Sequence, residues 1–351
     1  FNRDDHKFSM KYGENFNGGA TNVSMHFSFY QRDRVSGSED EIMGRCDYGD
    51  LVPAQFDSAF NRCSSNSAFG QFDMSGTAPY TDGSGEFLIK AAGDPNCLLN
   101  LGNNVCAASD SSGNYTHNWN GQRDILGAVQ RHNLFVFLNH DLGDGREAFA
   151  EYGQYQSEYN GNRHSVSHFS SVKFVVPATN PYNFTGKALL MDNYRFVDAG
   201  ARVVDNNKQT DRYLVGVRGE TDDGWDWETA ASYSVAEAFD VTHNRVSNTL
   251  MDALLHRTDE TAYNPFNGAG VYQTGYVSHN PVDYTPGGIG PAVVDAYRAN
   301  ERTMTTLDFR MSKPDVFTLT GGDVGMAFGV EARNDTFMDD RDPRLDGTIV
   351  F

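Results

Sequence analysis

Four cysteines carry the clearest chemistry in this chain. Cys46, Cys63, Cys97 and Cys106 all fall inside one polar stretch rich in Gly, Ser and Asn. Four cysteines can pair in three ways; the short spacings favour local pairs, Cys46 with Cys63 and Cys97 with Cys106, each stapling a sub-loop. Disulfides imply an oxidising compartment. The rival chemistry, a four-cysteine zinc site, is disfavoured because no C-x-x-C pair occurs. The ten histidines are scattered, and there is no H-E-x-x-H, G-x-S-x-G or phosphate loop. His132 and His140 share a strand face as ordinary structural residues. The acidic run Asp339, Asp340, Asp342 and Asp346 offers the oxygens a loop-bound Ca²⁺ wants, but it lacks EF-hand spacing and reads as a solvated loop. With no catalytic constellation in view, the expectation is a protein that is not an enzyme and uses no cofactor. The best ligand contacts are aromatic rings in the long connecting segments: Tyr115, Trp119, Tyr182, Phe184, Tyr263, Phe266, Tyr272 and Tyr276. Flat rings give apolar contact area at low entropic cost, and residues that merely pack the loops would have the same appearance.

The elements that would hold these segments are β-strands. From Trp225 to Ala236 the odd positions read Trp, Trp, Thr, Ala, Tyr, Val and the even ones Asp, Glu, Ala, Ser, Ser, Ala. From Val324 to Arg333 the even positions read Val, Met, Phe, Val, Ala. A period of two puts each set on its own face. The same alternation recurs over His6–Gly13, Thr21–Arg32, Arg131–Asp141, Arg146–Tyr159, the last part of Asn193–Glu220, and Thr303–Lys313. Asn193–Glu220 reads as one long, bulged strand and Trp225–Arg245 as its return. Short turns fall near residues 16, 144, 223 and 321, where Asp144 and Asp222/Asp223 serve as turn formers. Long connections fall at 33–130, which holds the disulfides, at 161–191, at 246–302 with a short helix over Thr249–Leu255, and from 337 onward. Every other connection is long. That rhythm predicts an all-β, antiparallel up-and-down transmembrane barrel with tight periplasmic turns and large extracellular loops.

Composition agrees. The net charge of −19 argues against a nucleic-acid partner. Mean hydropathy is −0.55 and no run of about 18 apolar residues exists to form a transmembrane helix, but a barrel needs only alternate residues facing lipid. The many aromatics (17 Tyr, 24 Phe) suit interfacial girdles and the 35 glycines suit tight turns. Trp225 and Trp227, directly after a short turn, belong in a periplasmic girdle. No signal peptide is visible at Phe1, so the chain is expected to be mature or incomplete.

Several stretches resemble TonB-dependent outer-membrane receptors. RYLVGVRGETDDGWDWETAASYS (Arg212 to Ser234) is similar to a strand-turn-strand of their barrels. TAYNPFNGAG (Thr261 to Gly270), MAFGVEARNDTFMDDRDP (Met326 to Pro343) and the opening KYGENFNGGATNVSMHFSFYQRDR resemble further pieces, in matching order. The resemblance implies a barrel of about 22 strands closed by an N-terminal plug. It implies a small nutrient ligand, outer-membrane lipid around the strands, and a TonB complex that works through the plug. Only about eight strands are present, with no plug sequence and no TonB box. The expectation is therefore strands two to nine of a receptor in the bacterial cell outer membrane, importing a siderophore, glycan, cobalamin or peptide. The alternatives are a passive porin, lined by charges from an inward-folded loop, and a secreted β-rich adhesin or sugar binder.

Overall fold

The computed structural model describes residues 4–74, 85–109, 115–167, 174–270 and 282–346. The chain is all-β, with antiparallel sheets. Strands β1 (Asp5–Phe16) and β2 (Thr21–Arg32) are followed by a first excursion holding β3 (Val35–Ser36), β4 (Gln71–Asp73), β5 (Glu86–Ala91), β6 (Cys97–Gly102), β7 (Val105–Ser109) and β8 (Asp124–Leu126). Strands β9 (Ala128–Gly143) and β10 (Arg146–Arg163) lead to a second excursion with β11 (Phe174–Val176) and β12 (Leu189–Asp192). Next come β13 (Arg202–Glu220) and β14 (Asp226–Val246), then a third excursion, and finally β15 (Val293–Leu319) and β16 (Gly322–Arg341).

Among the described residues, eight of these strands form one meander in the order β1-β2-β9-β10-β13-β14-β15-β16, with β1 and β16 at its edges. The turns at one end are built from residues that tolerate left-handed backbone: Asn17 and Gly18 between β1 and β2, Gly143-Asp144-Gly145 between β9 and β10, and Gly224 between β13 and β14. The three excursions leave from the other end.

The register sorts the strand residues cleanly. One face carries rows such as Ala150–Val215–Ala231–Leu307–Ala332 and Tyr12–Met25–Val136–Tyr152–Tyr213–Tyr233. At the turn end this face is bordered by the row Trp227–Met311–Phe328, and Trp225 in the turn packs edge-on to Phe328. At the loop end it gives way to the polar row Gln156–Gln209–Glu237–Glu301. Along β14 the apolar band therefore runs from Trp227 to Val235, nine residues. It stays open: Val215 is 59% exposed, Leu307 58% and Val330 67%. His132 and His140 share this face and frame the band on β9, His140 with Nδ1 2.8 Å from Thr21 Oγ1. The opposite face is polar, with charge pairs Glu147–Arg218 (2.6 Å), Glu151–Arg212 (3.0 Å) and Glu228–Arg310 (2.7 Å) across neighbouring strands.

The excursions are not separate loops. Strands from the first and second form a further sheet, in the order β11-β12-β4-β5-β7-β6. The third contributes a helix, Asn248–Leu255, whose Ser247 Oγ accepts from the Leu250 amide at 3.3 Å. Phe72, Ile89, Met191, Tyr194, Met251 and Tyr263 meet in one buried core. We call this body the cap. Its disulfides are Cys46–Cys63 and Cys97–Cys106, the local pairing, and no cysteine is free.

Several boundaries differ from the sequence-based expectation. Asn193–Ala201 does not extend β13. Asn193 and Gly200 adopt positive φ (47° and 75°), and Tyr194, Phe196, Val197 and Ala199 turn into the cap core. The second excursion thus spans 164–201. Residues 293–302 are strand, not loop, and pair with β14 and β16. The run from Asp339 starts on a strand: β16 continues to Arg341, with Asp339 opposite Asn300.

Candidate functional site

The cap core accounts for most of the aromatic residues first read as ligand contacts. Tyr263 is fully buried, its Oη 2.7 Å from Tyr194 Oη and 3.3 Å from Asp198 Oδ1. Phe266 is buried against Phe72 and Phe184. Tyr115 meets Phe69 edge-on and donates to Asp94 Oδ2 at 2.8 Å, with the Lys90 ammonium over its ring. The Tyr182 hydroxyl donates to the Glu260 carbonyl at 2.8 Å. Phe184 keeps an exposed edge but rests on Phe87 and Phe266. These rings pack because three excursions share one core and need large side chains to fill it. Tyr272 and Tyr276 lie outside the described residues. Trp119 is different. It is half-buried at the base of the cap, its Nε1 donating to the Arg62 carbonyl at 3.1 Å. The Arg123 guanidinium lies 4.4 Å from the Trp119 ring centroid, and the His164 ring stands edge-on at 5.6 Å.

Trp119 thereby marks the edge of a basic cluster where the cap meets the polar face of the sheet. Arg163, the last residue of β10, is the direct register partner of Arg202, the first of β13. On the next strand the pairing of β14 with β15 shifts between Thr242 and Arg245, with Asn244 at φ 59°. This bulge inserts an extra residue and turns Arg245 onto the polar face, opposite Val294. Arg163, Arg202 and Arg245 thus follow one another across three adjacent strands. Like charges set directly opposite each other are destabilising. Elsewhere on this face arginines are neutralised by carboxylates, as in the Glu147–Arg218 and Glu228–Arg310 pairs. Among the described residues, Arg163 and Arg245 form no ion pair, and Arg202 donates only to the His164 carbonyl, at 3.1 Å.

The cap adds to the charge. Arg195 is 4% exposed and reaches no carboxylate among the described residues: its partners are the Ser165 carbonyl at 2.7 Å, Ser64 Oγ and His164 Nδ1 at 3.1 Å each and the Asn66 carbonyl at 3.2 Å. Burial, and then the nearby Arg202 charge, bring its guanidinium down to about 10. Arg202 is lowered by burial and then by Arg163 and Arg245. His164 is lowered by burial and by Arg195, Arg202 and Arg123, against a hydrogen bond to the Ser165 backbone. His117, with Nε2 3.0 Å from Gln122 Oε1, is brought down to about 4, chiefly by burial. Beside His117 opens a separate cleft of about 500 Å³ whose lining is of mixed charge, with Asp40 and Glu41 as well as Arg45, His117 and Gln122, and which none of Arg163, Arg195, Arg202 and Arg245 enters. It is the row Arg163–Arg202–Arg245, not this cleft, that suits electrostatic capture of an anion, since arginine presents a planar fork that matches carboxylate and phosphate oxygens.

In the acidic run near residue 340, Asp339 and Asp342 are held by arginines. Asp339 Oδ1 lies 2.8 Å from Arg298 Nε, Asp339 Oδ2 lies 2.9 Å from Arg341 Nη2, and Asp342 pairs with Arg344. Sequence reading missed the arginine row because nothing in the spacing of Arg163, Arg202 and Arg245 announces it. Strand parity even puts Arg245 on the apolar face with Trp227, and only the bulge reverses that. No protein-family model matches the chain, and no curated protein matches it.

Proposed function

We propose that this chain is a segment of an outer-membrane β-barrel receptor of the TonB-dependent type, which takes up a nutrient from outside the cell. The observation that carries the reading is the open apolar band. A soluble protein rarely leaves a large contiguous apolar patch in water, whereas a tilted membrane strand needs about 9–11 residues with alternate ones facing lipid. The nine residues from Trp227 to Val235, with aromatic side chains at the turn-end border, meet that requirement. A soluble adhesin would need another layer against this face, and the cap sheet packs on its own core instead. Two disulfides in the cap fit a compartment that allows oxidation. The folded cap at the loop end favours a ligand-gathering receptor over a porin, whose constriction comes from a loop folded into the barrel. The transport step itself belongs to a plug and a TonB complex outside this chain.

The test is fractionation of cells expressing the full reading frame. The expected result is recovery in carbonate-washed outer membranes, with a band that shifts mobility on heating. Recovery as a soluble protein without detergent would defeat the proposal.

A further inference from the structure

The geometry points to the row Arg163–Arg202–Arg245, with Arg123 beside it and the buried charge of Arg195 behind it, as a binding site for a small ligand that carries two or more carboxylate or phosphate groups. Its assignment as the receptor's cargo rests on the proposed function; the binding itself is measured without it.

The argument starts from a contrast. The protein carries a net charge of −19 and 47 acidic residues, yet among the described residues no carboxylate pairs with Arg163, Arg202 or Arg245. Toward the turn end of the same face, Arg218 and Arg310 are each held by a glutamate. At the loop end, Arg163 opposes Arg202 and a β-bulge brings Arg245 alongside. The bulge is held locally, with His243 2.8 Å from Asp295 Oδ2 and 3.0 Å from Asp205 Oδ2 and Asn244 Nδ2 donating to the Ala201 carbonyl at 2.7 Å, but these contacts leave in place the cost of aiming a third cation at two others. An occupant with several negative charges removes that cost.

Size follows from the sheet. Strands lie about 4.8 Å apart, so three arginines on three strands span about 10 Å. That length matches a tricarboxylate or a short oligophosphate better than a single inorganic anion. Trp119, stacked under Arg123, offers a ring to an unsaturated or apolar part of the same ligand. The Arg195 guanidinium is buried and engaged by Ser64, Asn66, His164 and Ser165, so it adds positive charge behind the row rather than a contact to the ligand. The row sits on the polar face, away from the apolar band, which favours a free anion over a lipid phosphate.

The experiment is calorimetric titration of the full chain in detergent, at low ionic strength, with citrate and with tripolyphosphate; a neutral trisaccharide serves as control. Saturable binding of at least one anion is expected, with none of the trisaccharide. The double variant Arg163→Ala/Arg245→Ala should weaken binding by about 10-fold or more. The same variant should raise the Tm of the ligand-free protein by about 2 °C, because repulsion is relieved. A structural role predicts the opposite sign. Arg202→Lys, which keeps the charge but loses the fork, should also weaken binding and covers the case in which the double variant does not fold. Failure of both anions to bind, or unchanged affinity in the variants, overturns the inference. So does competition by lipid A vesicles alone, which would place the anion on the lipid. Loss of membrane recovery with anion binding intact would instead strike the receptor reading and leave this site standing.

Discussion

The hydroxyl groups of Tyr194 and Tyr263 lie 2.7 Å apart in the buried core of the cap, joining the second excursion to the third. Tyr263 also reaches Asp198, 3.3 Å away. A buried polar group left without its partner costs about 1–3 kcal/mol. Tyr263→Phe should therefore destabilise the cap by that amount and leave the eight-stranded sheet in place. Hydrogen exchange checks it: amides around 189–199 and 248–263 should exchange faster, and those of β13 and β14 should not.

Asp198 and His117 set opposite pH slopes in the cap. Burial drives the Asp198 carboxyl up to about 7, against a downward pull from its Tyr263 hydrogen bond. Its stabilising contribution is whole below the unfolded value near 3.8 and is lost as pH rises to about 7. His117 is brought down to about 4, so its contribution is whole above 6.5 and is lost as pH falls to about 4. Each slope is about 1.4 kcal/mol per pH unit, so between about pH 4 and 6.5 they cancel. Asp198→Asn should unmask a cap whose stability rises with pH across that window and exceeds that of the parent at pH 8. His117→Gln should unmask the reverse. Thermal melts from pH 4 to 8 read both, and a flat difference between variant and parent would contradict the assignment.

Reduction should act on the cap alone. Cys46–Cys63 closes a loop of separation 17 and Cys97–Cys106 one of 9. A closed loop of roughly 15 residues contributes about 3 kcal/mol through chain entropy. Treatment with reductant should expose 46–63 and 97–106 to protease while the long strands stay resistant. Equal loss of both regions would show that the sheet depends on the cap.

The two faces of the sheet should respond differently to charge. Val215→Arg lies in the middle of the apolar band, where a cation facing lipid costs about 2–4 kcal/mol. It should lower the yield of folded protein in outer membranes and abolish the heat-modifiable band. Leu214→Arg, one residue away on the polar face and opposite Glu151, should be tolerated. Equal effects of the two substitutions would speak against a lipid-facing band.

The eight long strands were legible because each repeats apolar and polar residues at period two and is bounded by turn residues such as Asp144 and Gly224. The local disulfide pairs were legible from spacing. The cap was not. Its strands β4 to β7 and β11 to β12 are too short to show a period, and its core draws Phe72, Tyr194, Met251 and Tyr263 from segments far apart in sequence. Tyr263 and Phe266 therefore looked like loop aromatics free to meet a ligand. The arginine row was hidden for another reason: it exists only in the register, and Arg245 joins it only because Asn244 takes a left-handed backbone.

Each excursion leaves one strand of the meander and returns to its neighbour, from β2 to β9, from β10 to β13 and from β14 to β15. The cap is consequently tied to six strand ends, and the described parts of all three excursions share its core. Swinging one excursion aside would tear the core that the other two complete. Opening the cap over the polar face therefore costs contacts in all three excursions at once, so its amides are expected to exchange as one cooperative unit rather than loop by loop.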